Sequence, residues 1–186
     1  MAELLDLHAK ALAEFDRRVR EVGDAQWGES TPCVDWDVHD LVNHMVTVQM
    51  WAPYLLSGGT VEDAGDRFDG DHLGETPVAT WEVMSRDART AWLQPDALER
   101  TVHMSFGAIP ASFYLWIMTL DQLVHAWDLA RAIGTDETLD AGLVEATLQW
   151  VNENNVTVPP YFAEPVPVAE DADTQTRLLA LTGRRV

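Results

Sequence analysis

Apolar positions along the chain recur mainly at the spacing of one helical face. Leu5, His8, Leu12, Phe15 and Val19 mark residues 2–22 as an amphipathic helix closed by Gly23. Residues 28–36, which carry Thr31-Pro32-Cys33, read as a loop. A second helix over 37–56 opens at Asp37, an N-cap residue with an acid, Asp40, three positions on. Leu41, His44, Val48, Trp51 and Leu55 share one of its faces, Pro53 is placed to kink it, and Gly58-Gly59 stops it. Residues 58–75, rich in Gly and Asp, read as a mobile connection. Thr76-Pro77 starts a third helix over 77–93. Residues 100–107 alternate between apolar and polar, as a short strand or an extended connection would. Pro110 opens the longest apolar helix, 110–133, which Gly134 closes. A shorter helix follows over 140–153, and prolines at 159–160 and 165–167 force an extended segment. Thr174 then caps a last short helix ending at Gly183.

Four long amphipathic helices with short accessories predict an all-α helical bundle. The long connections at 58–75 and 94–109 leave room for something other than simple up-and-down order. The 186 residues are expected to form one domain, 1–186, with a C-terminal extension of about 155–186 packed on it.

Two of these helices place polar groups where core residues belong. On the fourth, Ile117, Met118, Val124 and Leu129 lie within roughly 80° of Asp121 at 100° per residue. Asp121 and His125, an i,i+4 pair with Cβ atoms about 6 Å apart, therefore sit in an apolar stripe, and Asp128 shares that face. A buried carboxylate without a partner costs several kcal/mol, so something must neutralise it. On the second helix His44 stands among Leu41, Val48, Trp51 and Leu55. His44, Asp121 and His125 together form a two-histidine, one-carboxylate set that suits Zn²⁺, Ni²⁺ or Fe²⁺ and leaves a coordination position open. The plain alternative is a satisfied core histidine and an Asp121 paired with His125 or with an arginine of another helix. His8, beside Leu5 and Leu12, reads as a core or helix-end histidine or as a further ligand. His39 and His72 read as solvated. His103, on the polar side of the extended stretch, is placed to reach the mouth of such a site. Cys33 has acids and no base near it in sequence and reads as a packing cysteine.

Charge narrows the partners. Lys plus Arg total 12 against 31 Asp plus Glu, a net charge of −19. Nucleic acid and anionic membranes are poor partners for such a chain. The single cysteine excludes an intramolecular disulfide. No apolar run approaches the roughly 20 residues that span a bilayer, and the N-terminus does not have the pattern of a signal peptide. A cytoplasmic setting and a monomer or homodimer acting on a small-molecule substrate are the expectations.

Two longer motifs carry a resemblance. The run Thr31-Pro32-Cys33-Val34-Asp35-Trp36-Asp37-Val38-His39-Asp40-Leu41-Val42-Asn43-His44 is similar to the start of the second helix in the DinB-like superfamily. More narrowly it resembles the metal-binding domain of the mycothiol-dependent maleylpyruvate isomerase family. The run from Leu120-Asp121-Gln122 through His125-Ala126-Trp127-Asp128-Leu129-Ala130-Arg131-Ala132-Ile133-Gly134 resembles that family's helix of the form D…HAWDLARA.G, and the tail from Thr176-Arg177 to Gly183-Arg184 resembles the tails of many members. The resemblance implies a DinB-like four-helix bundle and a divalent metal, zinc first, on His44, Asp121 and His125. The isomerase carries Glu where this chain has Asp121. The shorter side chain implies a metal closer to the fourth helix or bridged by water.

The resemblance also implies a reaction class, a metal-dependent thiol S-transferase or isomerase with mycothiol or a similar thiol as cosubstrate and a small electrophile as acceptor. Asp128 and His103 are then candidates for moving protons or orienting the substrate. The alternatives are a non-catalytic metal- or ligand-binding domain and a metal-dependent hydrolase. A deep pocket with positive groups for a thiol cofactor favours the transferase; a plugged one favours a structural role.

Overall fold

The computed structural model describes residues 2–154, 156 and 162–186. Its long helices are α1 (Ala2–Glu21), α2 (Val38–Leu56), α4 (Pro77–Trp92) and α5 (Ala111–Ile133); α3 (Val61–Ala64) is a single turn. A hairpin of β1 (Thr101–Met104) and β2 (Gly107–Pro110) precedes α5, and α6 (Ala141–Asn154) and α7 (Thr174–Leu181) follow it. The chain is thus a four-helix bundle with accessory helices. α1 lies along α5, α2 lies along α4, and α1–α4 and α2–α5 contacts complete the bundle.

The local signals act as their chemistry requires. Asp37 caps α2, with its carboxylate accepting from the Asp40 N–H at 2.9 Å while Asp40 accepts from the Asp37 N–H at 3.2 Å. Pro77 sits in the first turn of α4, and the helix runs on past Pro53 in α2 to Leu56. Gly134 ends α5 with φ +70°.

Three expectations are corrected. The helix read as starting at Pro110 begins at Ala111, because 107–110 pair antiparallel with 101–104, Met104 opposite Gly107 and Thr101 opposite Pro110. Val102 is buried beneath this hairpin, and the Ala111 N–H bonds the Arg100 carbonyl. The last helix is capped by Asp173, which accepts from the Thr176 N–H at 2.9 Å, rather than by Thr174. The 58–75 connection is tied down rather than loose. The Asn43 side chain donates to the Gly70 carbonyl and accepts from the His72 N–H, and Phe68 and Leu73 are buried. The prolines at 159–160 lie outside the described residues.

The core has two parts. One, around Phe15, Met45, Trp81, Trp127 and Leu178, joins α1, α2, α4 and α5 to the C-terminal helices. The other, around Leu55, Trp92, Leu98 and Leu115, fills the hairpin end. Arg18, fully buried, donates to the Asp136 and Thr138 carbonyls and pairs with Glu14 on its own helix. It thereby fastens α1 to the segment between α5 and α6. No helix among the described residues is long and apolar enough to cross a membrane.

Candidate metal centre

The facing surfaces of α2 and α5 bring His44, Asp121 and His125 together. His44 Nε2 lies 3.2 Å from Asp121 Oδ2, and His125 Nε2 lies 3.4 Å from Asp121 Oδ1. Their ligand atoms all fall within 4.8 Å of one another. Ligands about 2.0–2.1 Å from a tetrahedral metal are separated by about 3.3 Å. Each imidazole thus stands at that spacing from one oxygen of Asp121, whose side chain reaches both without a longer residue in its place. The residues fit a small divalent cation.

His125 is held at its other nitrogen. Nδ1 lies 2.9 Å from Asp128 Oδ2. A carboxylate only accepts, so the Nδ1–H donates to Asp128 and Nε2 faces Asp121. Asp128 is fully buried and is gripped by Arg184, whose Nε and Nη2 donate to its two oxygens at 3.2 and 2.8 Å. Arg184 stands just beyond α7, where its Nη1 also donates to the Thr182 carbonyl at 2.7 Å. An ion pair joins the C-terminal tail to a histidine on α5.

Charge explains the protonation of the group. Burial alone would raise the Asp121 carboxyl, but the charges of His125 and His44 hold it far below the usual range. Burial would likewise lower His125; the Asp121 charge and hydrogen bonds to Asp121, Asp128 and Cys33 overcome this and raise it well above its ordinary value. Asp128, which burial would also raise, is held low by His125 and Arg184.

The loop 28–36 closes the site from the side. The Thr31 hydroxyl accepts from the Cys33 N–H and donates to the Trp36 carbonyl at 2.9 Å. This turn seats the Trp36 ring against both imidazoles, with centroids 4.9 Å from His44 and 5.9 Å from His125. It also sets Cys33 Sγ 3.3 Å from Asp128 Oδ2 and 3.5 Å from Arg184 Nη2. Cys33, His125 Nδ1 and Asp128 make a second possible ligand group, but the Arg184 guanidinium already supplies the positive charge there. A third group, Asp37, His39 and Asp40, has its carboxylates engaged in the α2 capping box.

The donors open onto a cavity of about 810 Å³ between α2 and α5, roofed by residues 162–164 and 182–184. Asp121, His44 and His125 are among the residues that line it. Val48, Trp51, Leu55, Tyr114, Ile117 and Met118 line the rest of the helix walls.

Several other candidates fall elsewhere. His103 pairs with Ala108 in the hairpin and does not line the cavity, although its neighbour Met104 does; strand alternation turns the imidazole away. Asp128 is fully buried beneath His125 and Arg184 and is not among the residues that line the cavity. His8 is a core histidine, fully buried, with Nδ1 3.4 Å from the Thr119 hydroxyl and its ring 6.5 Å from that of Trp92 in a T-shaped pair. His39 lies 3.7 Å from Asp71 near the surface. His72 is not solvated at its tip, since its Nε2 is shielded from water. Cys33 is not an isolated packing residue: it lines the cavity, and its basic neighbours come from distant parts of the chain. The role of Arg184 was not legible in the linear sequence, although the tail motif that contains it was.

Known proteins share this architecture. Residues 8–130 match the family described as the mycothiol maleylpyruvate isomerase N-terminal domain. Uncharacterized proteins from two strains of Mycobacterium tuberculosis are 27% identical over 190 residues, covering 96% of this chain and 96% of each relative. The crystal structure of the mycothiol-dependent maleylpyruvate isomerase superposes with a TM-score of 0.62 at 20% identity, over 82% of this chain and 71% of that one. A histidine-to-alanine mutant of the isomerase gives 0.60 at 18% identity over the same shares. These two likenesses speak for the fold, whereas the sequence match spans most of the bundle, including all of α2 and the segment of α5 that carries Asp121, His125 and Asp128. On that match the chain belongs to the mycothiol maleylpyruvate isomerase N-terminal domain family.

Proposed function

We propose that His44, Asp121 and His125 hold one divalent metal ion, zinc first, and that the chain is a metal-dependent thiol S-transferase or isomerase using a mycothiol-type thiol and a small electrophilic acceptor. The observation that carries this reading is the convergence of three donor groups, their ligand atoms within 4.8 Å of one another, on an open cavity. A purely structural metal would have no use for such a cavity, which is why the transferase is favoured over a non-catalytic domain.

A divalent ion bound here supplies Lewis acidity that favours a thiol in its thiolate form. The chain's own residues do the rest. Asp128 fixes the tautomer and the tilt of His125, and Arg184 fixes Asp128. Trp36 covers the imidazoles and keeps water from their flank. Burial and the nearby Asp121 charge keep the Tyr114 phenol protonated, so at neutral pH it offers a hydroxyl and no base.

The test is elemental analysis of the purified protein, followed by a thiol-transfer screen with and without chelator. One metal per chain is expected, falling severalfold in His44→Ala and in His125→Ala, because two ligands on one helix do not complete the shell. Full metal content in both variants would overturn the ligand assignment, and transfer indifferent to chelator would overturn the reaction class.

A further inference from the structure

The cavity has a composition that bears on what enters it. Among the described residues that line it, the charged side chains besides the histidines are Asp121, Glu164 and Arg184. Asp121 belongs to the ligand group, and Glu164 is itself an anion. Of these three Arg184 alone is a cation, and it is committed. Nε and Nη2 form a two-pronged pair with Asp128, Nη1 is taken by the Thr182 carbonyl, Nη2 also touches Cys33 Sγ, and only a tenth of the side chain is exposed. Withdrawing it to meet a substrate carboxylate would strand the buried Asp128 without its partner, a cost of several kcal/mol.

Away from the histidines the walls carry no such charge. On α5, Tyr114 lies two turns before Asp121, a rise of about 10 Å; on α2, Leu55 lies three turns beyond His44, a rise of about 16 Å. Between these limits the facing side chains are Val48, Trp51, Ile117 and Met118. The space is therefore an elongated apolar limb running from the donor group toward the hairpin. A dicarboxylate such as the maleylpyruvate that names the family would find its far carboxylate facing these groups with no counter-ion.

We infer that the acceptor of this protein carries an uncharged apolar substituent, alkyl or aryl, which lies along the limb between α2 and α5 while its electrophilic end faces His44, Asp121 and His125. The inference names the substrate class of the site proposed above and rests on that reading for the chemistry at the donor end. Occupation of the limb itself does not require a metal.

The experiment exploits that independence. The full chain, metal-loaded and chelator-stripped, is titrated with the neutral fluorophore N-phenyl-1-naphthylamine. The probe is then displaced with hexanol, octanol and decanol and, separately, with maleate. The alcohols should displace it with an affinity gain of about threefold to fourfold per methylene until the limb is full, in both metal states, and maleate should not displace it. Ile117→Trp, which fills the limb, should weaken decanol at least tenfold while leaving metal content unchanged. Val48→Phe serves the same purpose if that variant does not fold. Absence of probe binding, no dependence on chain length, displacement by maleate at alcohol concentrations, or an unchanged decanol affinity in the filled variants would each overturn the inference. Loss of the metal assignment in the elemental analysis would leave this result standing, so the two failures are distinguishable.

Discussion

His125 acts through both ring nitrogens, and this is where side-chain chemistry is densest. With Nδ1–H given to Asp128, Nε2 has a single remaining direction, toward Asp121 and the cavity. His8, one of the other histidines on an apolar face, shows what the same residue does without a carboxylate. The Thr119 hydroxyl spends its proton on the Leu115 carbonyl at 2.7 Å, so it accepts from His8 Nδ1–H, and the imidazole stays neutral. Burial, with the Arg89 charge as a lesser cause, pushes the His8 pKa down to about 3. The unfolded chain takes up this proton from about pH 6.5 downward, whereas the folded chain refuses it. The contribution is therefore whole above pH 6.5 and is lost as pH falls toward 3, at up to about 1.4 kcal/mol per pH unit. Urea unfolding of the parent and of His8→Leu at pH 7, 5 and 4 should show a shallower decline in the variant. Parallel declines would mean that His8 takes up its proton without unfolding the chain.

At the scale of elements, two irregular segments make the site out of two helices. The 28–36 loop brings Trp36 and Cys33, and the turn after α7 brings Arg184. That turn depends on Gly183, whose φ of +86° suits glycine and whose added Cβ would stand 2.5 Å from the Ala163 Cβ. Gly183 and Ala163 both line the cavity. Gly183→Ala should cost about 1–3 kcal/mol, from the left-handed backbone and the overlap together. By displacing Arg184 it should also weaken metal binding about tenfold, toward the 10- to 100-fold expected for Arg184→Gln through loss of the Asp128 support. Gly28→Ala, where a Cβ meets nothing within 4 Å, is the control. Thermal melts and zinc titrations against a competing chelator read both effects. Unchanged zinc affinity in Gly183→Ala and Arg184→Gln would show that the tail packs on the bundle without supporting the ligand.

For the whole molecule, the question is how far a metal would hold the fold together. The core runs through all four long helices and both C-terminal helices, so the bundle is expected to stay folded without metal. Metal that binds only the folded chain adds on the order of 3–4 kcal/mol at a hundred to a thousand times its dissociation constant. For a chain of this length that is a rise of several degrees in melting temperature. EDTA should therefore lower the melting temperature at pH 8, and Asp121→Asn, which removes one ligand charge, should shrink the shift. Identical melts with and without EDTA, from protein shown to contain metal beforehand, would take the metal out of the core.

Much of this was legible in the linear chain. Periodicity, Asp37, Pro77 and Gly134 mark the long helices within a residue or so, because capping and helical spacing are local chemistry that neighbouring residues settle among themselves. Asp121 and His125 announce themselves as polar residues in an apolar stripe, and His44 does so on the second helix. The hairpin was half seen: 100–107 alternate, but the second strand was not read, because Pro110 is a good helix starter and a strand partner is a tertiary fact. Arg184, Trp36 and Cys33 were beyond sequence reading for the same reason. Cys33 has acids around it along the chain, yet in space it stands beside an arginine 151 positions away and a histidine 92 positions away. Local sequence decides where a helix begins and which face it buries. Only the folded chain decides which distant charge neutralises a buried carboxylate, and here that choice determines which way His125 points.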